Sequence, residues 1–346
     1  MKVAVAISGG ADSAVAAAIF KKAGFNVVSF FMKLADLPFF KENKKRAEKI
    51  SETLKIPFYY FNFEKEFKRR VIEYFLNGYK NGTTPNPCVL CNKEIKFGLL
   101  LEKALALDAD FIATGHYARK LEIRDKKQEI KYKLFKAKDR DKDQSYFLWM
   151  LNQEQLKRIL FPIGNCTRKE VENLARKFKL PVLKARKSVE ICFIQTTIND
   201  FLTRHLKQKP GEIVDTQGKI IGRHQGLYFY TIGQRKGIGL PGGPYYVLDK
   251  DLKKNLLIVT KNEKDLLKKE LICQNVNWIS GKIPEFPLKV KAKIRYRHQL
   301  APATLTYHPK SKTHHLAFEK SQRAITPGQS VVFYRGQELL GGGIIC

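Results

Sequence analysis

The chain opens with its most constraining feature. A short apolar run, Lys2–Ile7, breaks at Ser8-Gly9-Gly10-Ala11-Asp12-Ser13 and resumes at once as an Ala-rich stretch reaching Ala23. A buried strand, a glycine turn and a helix in that order begin a βαβ unit, and such units build parallel sheets wrapped by helices. The alternation continues with apolar Asn26–Met32, amphipathic Glu42–Lys55 and apolar Phe58–Phe63. Helices are expected over Glu64–Tyr79 and Asn92–Leu107, the second with Asn92 as N-cap, before another buried strand at Asp110–Thr114. The turn after the first strand also has chemical consequences. Unpaired amides and the positive end of the helix aim at one spot, which makes it an anion site. Gly9 and Gly10 permit close backbone approach, and the Ser8 and Ser13 hydroxyls add donors. Asp12 beside an anion either helps hold Mg²⁺ or caps the helix. No GxxxxGK[ST] occurs and GxGxxG is missing after the first strand, which excludes a Walker loop and argues against a dinucleotide fold.

The pattern changes after Ala118. Leu121–Ile123 and Tyr132–Phe135 flank a charged DKKQE turn as in a surface hairpin, and helices resume at Gln153–Ile159 and Arg168–Lys179. Beyond Leu206 short alternating stretches separated by Gly, Pro and Asn indicate barrels or sandwiches. A chain of 346 residues exceeds what one core usually organises. The expected architecture is α/β: a Rossmann-like parallel-sheet domain over 1–205, a small central β-rich domain over 206–270, and a C-terminal β-barrel-like domain over 271–346.

Lys and Arg total 64 against 33 Asp and Glu, a formal charge of +31 that favours polyanionic partners, nucleic acid first, with a Lys-rich solvated surface as the bland alternative. No signal-peptide pattern and no membrane-length apolar run occur, so a cytoplasmic protein without a membrane partner is expected. Six cysteines are too sparse for a disulfide scaffold and suit a reducing compartment. Thr84–Phe97, TPNPCVLCNKEIKF, puts Pro85 and Pro87 in an extended or turned segment and Cys91 just before a helix N-terminus, which favours thiolate. Half of a zinc site is the other reading, but no second CxxC or CxxH pair follows. Cys192 lies in SVEICFIQ, whose apolar flanks suit an inert core cysteine.

These motifs resemble known ones. SGGADS is similar to the SGGxDS PP-loop of the ATP-pyrophosphatases, which cleave ATP between the α and β phosphates and pass AMP to a substrate oxygen. The Thr84–Phe97 segment resembles the TPNPxxxCNxxIKF signature of tRNA-specific 2-thiouridylases, and SVEICFI resembles their second-cysteine motif. The likeness continues through Ala113–Arg119 (ATGHYAR), Lys142–Leu148 (KDQSYFL), Gly222–Leu240, Ile294–Gln299 (IRYRHQ) and Thr326–Ile345, covering almost the entire chain in order.

The resemblance implies ATP-dependent 2-thiolation of the wobble uridine of tRNA for Lys, Glu and Gln, through an adenylated uridine. Cys91 would be the nucleophile, and Cys192 would carry a persulfide delivered by a cysteine desulfurase or sulfur-relay protein, with a Cys91–Cys192 disulfide as one way to resolve the intermediate. ATP would be contacted by Ala6, Ile7, Ser8, Gly9, Gly10, Ala11, Asp12, Ser13, Met32 and Gly115, with Mg²⁺ as its companion, and the target base bordered by Asn86, Pro87 and Cys88. His116, Lys142, Asp143, Gln144, Arg295, Tyr296 and Gln329 would face tRNA. Plainer roles stand beside these: Met32 as core packing, His116 as a strand-end hydrogen bonder, basic residues as solvated surface. The rival sulfur route is a [4Fe–4S] cluster on Cys88, Cys91 and Cys192 with one open iron. The rival enzyme is another adenylating synthetase acting on tRNA. The chain departs from the family pattern at Ala11 and Ala14, where Val and Ser are frequent, and at Cys88, where some members carry Asp as a general acid or base.

Overall fold

The computed structural model describes residues 1–37, 39–124, 128–182 and 191–346. At its centre β1 (Lys2–Ala6) pairs in parallel with β2 (Asn26–Lys33) on one side and β4 (Phe111–Ala113) on the other. Next to these lie β3 (Phe58–Asn62) and the two-residue β7 (Ile159–Leu160), giving five parallel strands in the order 3-2-1-4-7. Alternate residues of β1 serve opposite faces. Val3 and Val5 pack with Val15 of α1 (Ala11–Lys22) and Ile50 of α2 (Phe40–Leu54), while Ala4 turns to a second core containing Phe30, Phe75 and Ile95. Both faces are covered, which is why these strands read as continuous apolar runs. The strand order reverses between β1 and β4, the point at which an open parallel sheet has its crevice outside the carboxyl ends of the strands. The SGGADS turn and the loop Thr114–Tyr117 both leave their strands at that point.

The helices fall close to expectation except where prolines intervene. The helix expected from Asn92 begins at Pro87, with Asn86 in the N-cap position, and continues through 105. Proline suits a first helical position because its missing N–H would have no intrahelical partner there. Within this helix Asn92–Leu99 is wound as π-helix.

The central region forms a four-stranded sheet from β8 (Gly211–Val214), β9 (Ile220–His224), β10 (Tyr246–Asp251) and β11 (Leu256–Thr260), in the order 10-11-8-9. It is not sealed off: Leu227, Phe229, Val247 and Leu257 belong to the same apolar cluster as Phe75 and Ile95.

The last region holds β12 (Leu267–Trp278), β13 (Leu288–Lys293), β14 (Ala301–His308), β15 (Thr313–Arg323), β16 (Ser330–Arg335) and β17 (Glu338–Ile345). They run 12-15-14-13-16-17, and β17 pairs back to β12, closing a six-stranded barrel around Leu271, Val290, Leu305, Leu316 and Phe333.

The hairpin is the main difference from the sequence reading. Strands β5 (Ala118–Arg124) and β6 (Ile130–Lys136) do not form a free surface ribbon; β6 pairs with β17 at Leu134–Leu339 and Phe135–Glu338, burying Leu134. The N-terminal half thus lends two strands to the sheet of the barrel. Tyr146 Oη donates to Ser330 O at 2.9 Å and Trp149 Nε1 to Ser330 Oγ at 3.0 Å, fastening the same two regions. Among the described residues no helix is long and apolar enough to cross a membrane.

Candidate active site

The phosphate loop is built almost entirely from local bonds. Ile7 N donates to Phe30 O at 2.8 Å, prolonging the sheet by one residue before the turn. Ser8 N then donates to Ser13 Oγ at 3.1 Å, Ser13 Oγ lies 3.1 Å from Gly10 O, and the two serine hydroxyls are 3.2 Å apart. No side chain caps α1, and its first amide bond is Ala14 N to Gly10 O at 3.1 Å, so the preceding amides face the crevice. Gly115 presses on this backbone: a Cβ there would lie 2.7 Å from Asp12 C and Ser13 N. Met32 is half-buried at the carboxyl end of β2 and packs on the core, so its packing role is met.

Asp12 is the second residue of α1 and does not cap it. Its Oδ1 accepts from Tyr117 Oη at 2.9 Å and from Arg168 Nη1 at 2.7 Å, an ion pair at the mouth of the crevice. Burial and the adjacent carboxylate push the Tyr117 hydroxyl pKa well up, so it stays a donor. Sequence reasoning missed Arg168. The only signal was its place just after Thr167, at the start of a helix closed by a Thr167–Glu170 capping box.

The cysteine segment, by contrast, is held from far away. Thr84 N donates to Pro327 O at 2.8 Å, Gln329 Nε2 donates to Thr84 O at 2.7 Å, and the Thr84 and Thr231 hydroxyls lie 3.3 Å apart. Gly328 closes this joint with φ +87°; a Cβ there would lie 2.8 Å from Thr83 Cβ. The barrel and the central sheet therefore set the position of the residues leading to Asn86, Pro87 and Cys88. Asn86 makes no side-chain cap.

The sulfur groups differ from expectation. Cys91 is the fifth residue of its helix, buried, with its thiol pushed up to about 12 by burial, so no helix N-terminus favours its thiolate. Cys88 occupies the first turn and is half-buried; burial, reinforced by Cys192, pushes its thiol up to about 11. Its thiol is thus protonated near neutrality and can donate a proton but is a poor substitute for a carboxylate base. Cys192 is exposed rather than an inert core residue; it is Phe193 beside it that enters the core, 5.6 Å from Phe67 and 5.4 Å from Phe75 by ring centroids. Desolvation raises the Cys192 thiol, opposed by Lys96 and by the amides of Cys192 and Phe193. Ser188–Glu190 of this motif lie outside the described residues. Asn92, next to Cys91, is buried; its Nδ2 donates to Phe147 O at 3.1 Å and its Oδ1 has no hydrogen-bond partner. The six cysteines are free, and among the described residues no three His, Cys, Asp or Glu side chains converge as metal ligands. Cys88, Cys91 and Cys192 therefore do not present a three-thiolate seat for an iron–sulfur cluster.

Comparison with known proteins decides the family. Residues 1–196 match the family described as tRNA methyl transferase HUP domain, 199–261 the tRNA methyl transferase PRC-barrel domain, and 268–345 the aminomethyltransferase beta-barrel domain. The tRNA-specific 2-thiouridylase MnmA of Lactobacillus gasseri is 43% identical over 361 residues, covering 100% of this chain and 95% of that one. MnmA 2 of a Thermoanaerobacter species is 46% identical, covering 99% and 97%, and MnmA of Halothermothrix orenii is 44% identical, covering 99% and 98%. The chain belongs to the tRNA-specific 2-thiouridylase family. Among solved structures, the U34-tRNA thiolase NcsA from Methanococcus maripaludis with its [4Fe-4S] cluster aligns at TM-score 0.39 and 18% identity over 59% of this chain and 64% of that one, a likeness too slight to argue from.

In this thiouridylase the residues expected to face tRNA divide by exposure. Lys142 is exposed, and Tyr296 is half-buried, its ring 4.5 Å from that of Phe147. The others make internal bonds. His116 is buried against Phe97 and Phe161, its Nδ1 2.7 Å from Thr114 Oγ1, and burial holds its pKa well down, so it is the strand-end hydrogen bonder of the plainer reading. Asp143 is buried and accepts from the amides of Ala137 and Ser145. Gln144 Oε1 accepts from Tyr117 N at 3.0 Å. Arg295 Nη2 donates to Thr326 Oγ1 at 2.6 Å and Ile232 O at 3.2 Å. Together with Gln329, these side chains join the regions of the molecule and steady the loop beside the phosphate site.

Proposed function

We propose that the chain is an ATP-dependent tRNA-uridine 2-sulfurtransferase acting on the wobble uridine of tRNA for Lys, Glu and Gln. The observation that carries this reading is the meeting of two chemistries in one region. His116 follows Gly115, which packs on the phosphate loop, and the His116 ring lies 5.8 Å from that of Phe97, which stands on the helix that carries Cys88 and Cys91. ATP binds with its phosphates at the start of α1, against the loop amides and the serine hydroxyls. Mg²⁺ arriving on those phosphates would be held by Asp12, the carboxylate at that place, and would neutralise charge on the departing pyrophosphate.

A carbonyl oxygen is a poor leaving group until it is activated. Uridine O2 attacks the α-phosphate as N3 gives up its proton to solvent, the new O–P bond forms as the bond to the bridging oxygen breaks, and pyrophosphate departs; the loop amides stabilise the charge that develops. The terminal sulfur of a Cys192 persulfide then attacks C2 and AMP leaves with O2. Cys91 thiolate attacks the Cys192 sulfur, the S–S bond to the transferred sulfur breaks, and N3 regains its proton as the thiocarbonyl forms. The remaining Cys91–Cys192 disulfide is reduced by an external dithiol. In the other order Cys91 attacks the persulfide first and the freed hydrosulfide displaces AMP. The sulfur comes from a cysteine desulfurase or relay protein, in the reducing cytoplasm where such thiols persist. Incubation of tRNA with the enzyme, ATP, Mg²⁺ and a persulfide source, followed by nucleoside mass analysis, should show 2-thiouridine. ATP consumed without that product would remove the sulfur-transfer reading.

A further inference from the structure

Lys96 shares a helix with Cys88 and Cys91 and lies inside its π-wound stretch, where Leu100 N bonds to Ile95 O. In ordinary α-winding, residues five apart are turned roughly 140° from each other. Bonding from i to i+5 stacks them instead, and single turns of this kind recur at functional sites. The change of winding therefore swings Lys96 toward the face of Cys91, and a long helical side chain leans over the turn preceding its own Cα. Lys96 is half-buried and has neither hydrogen bond nor ion pair among the described residues. The nearest acid on the helix, Glu94, is engaged by Arg70 at 3.1 Å and Lys93 at 3.7 Å. A half-buried lysine without a carboxylate partner is free to receive an anionic visitor.

We propose that Lys96 is a positioning residue for sulfur handling, whose ammonium is turned toward the cysteine face and favours the anionic, nucleophilic form of sulfur at Cys91 and Cys192. Burial works against the anion at each thiol, and Lys96 is the cation that opposes it at all three. At Cys192 the amides of Cys192 and Phe193 act in the same sense. Among the described residues, His116 is kept neutral by burial and by Lys96 itself, so it adds no competing positive charge. The inference rests on the assignment of Cys91 and Cys192 to sulfur transfer.

The test is the rate of iodoacetamide alkylation at each cysteine, read by peptide mass spectrometry from neutral to alkaline pH, with neither ATP nor tRNA present. Lys96→Met should displace the profile of exposed Cys192 to higher pH and slow its alkylation about tenfold near neutrality, the effect of one pKa unit. Lys96→Arg should restore the wild-type profile, and exposed Cys346 should be unchanged in both. Protection of buried Cys273 reports folding; if Lys96→Met loses it, Lys96→Gln takes its place. An unchanged Cys192 profile in a folded, uncharged variant, or an Arg variant that behaves like Met, would overturn the proposal. A separate failure to form 2-thiouridine would strike the assigned reaction and leave this result standing.

Discussion

The phosphate loop and the cysteine segment are assembled in opposite ways. Within Ser8–Ser13 the bonds that shape the turn itself join residues at most five apart, while the Asp12 side chain is tied to Tyr117 and Arg168, 105 and 156 positions away. The approach to Cys88 and Cys91 is secured by Thr231, Pro327 and Gln329, residues up to 245 positions away. The shape of the phosphate turn is thus largely local, whereas the setting of the cysteine segment depends on docking of the central sheet and the barrel.

The most severe way to break this contrast is to remove the sulfur groups. Cys91→Ser and Cys192→Ser should each lower tRNA thiolation by about 10⁴- to 10⁶-fold, the range seen when a nucleophile or its partner is deleted, while ATP-dependent pyrophosphate release persists. Full thiolation in both variants would sink their assignment. Salt should separate the two regions next. If about 6–10 phosphates are contacted, tRNA affinity falls roughly 10³–10⁵-fold between about 50 and 200 mM salt, and filter binding that shows no such slope would refute docking through the backbone. Gly115→Ala pushes a methyl into the loop backbone at 2.7 Å, and overpacking of this kind costs about 1–3 kcal/mol. Pyrophosphate release should fall while cysteine alkylation profiles stay as they are. His116 predicts a pH effect on folding. Its folded pKa lies well below the ordinary 6.5, so the unfolded chain takes up a proton that the folded chain refuses. Stability should therefore fall as pH drops below 6.5, by about 1.4 kcal/mol per pH unit until His116 itself titrates. Urea melts of His116→Gln should lack that slope. Gln329→Ala is the mildest, removing one bond to Thr84 worth about 1 kcal/mol; thiolation should weaken with ATP turnover intact.

The same contrast explains what could be read from the chain alone. Strand, glycine turn and helix declare themselves by periodicity, so the parallel sheet and the loop were legible, as was a β-rich second half. A barrel over 271–346 was legible too, but not which strands close it, since pairing of Cys273 with Ile345 joins residues with no local signature. The prolines of TPNP hid the helix start because Pro87 serves equally in a turn and at a first helical position. That shift of start places Cys91 a full turn inside the helix and reverses the electrostatic argument for its thiolate. Arg168 was invisible because its partner Asp12 stands 156 residues away. Asp143 and Arg295 carried motifs that pointed to tRNA, but burial and internal bonds could be seen only in three dimensions.

The hairpin taken up by the barrel makes the two halves mechanically continuous. Tyr117, whose hydroxyl holds Asp12, is followed immediately by Ala118, the first residue of β5, and β5 reaches β17 through β6. A displacement of the barrel wall at β17 is passed through these paired strands to Tyr117 and so to the carboxylate of Asp12.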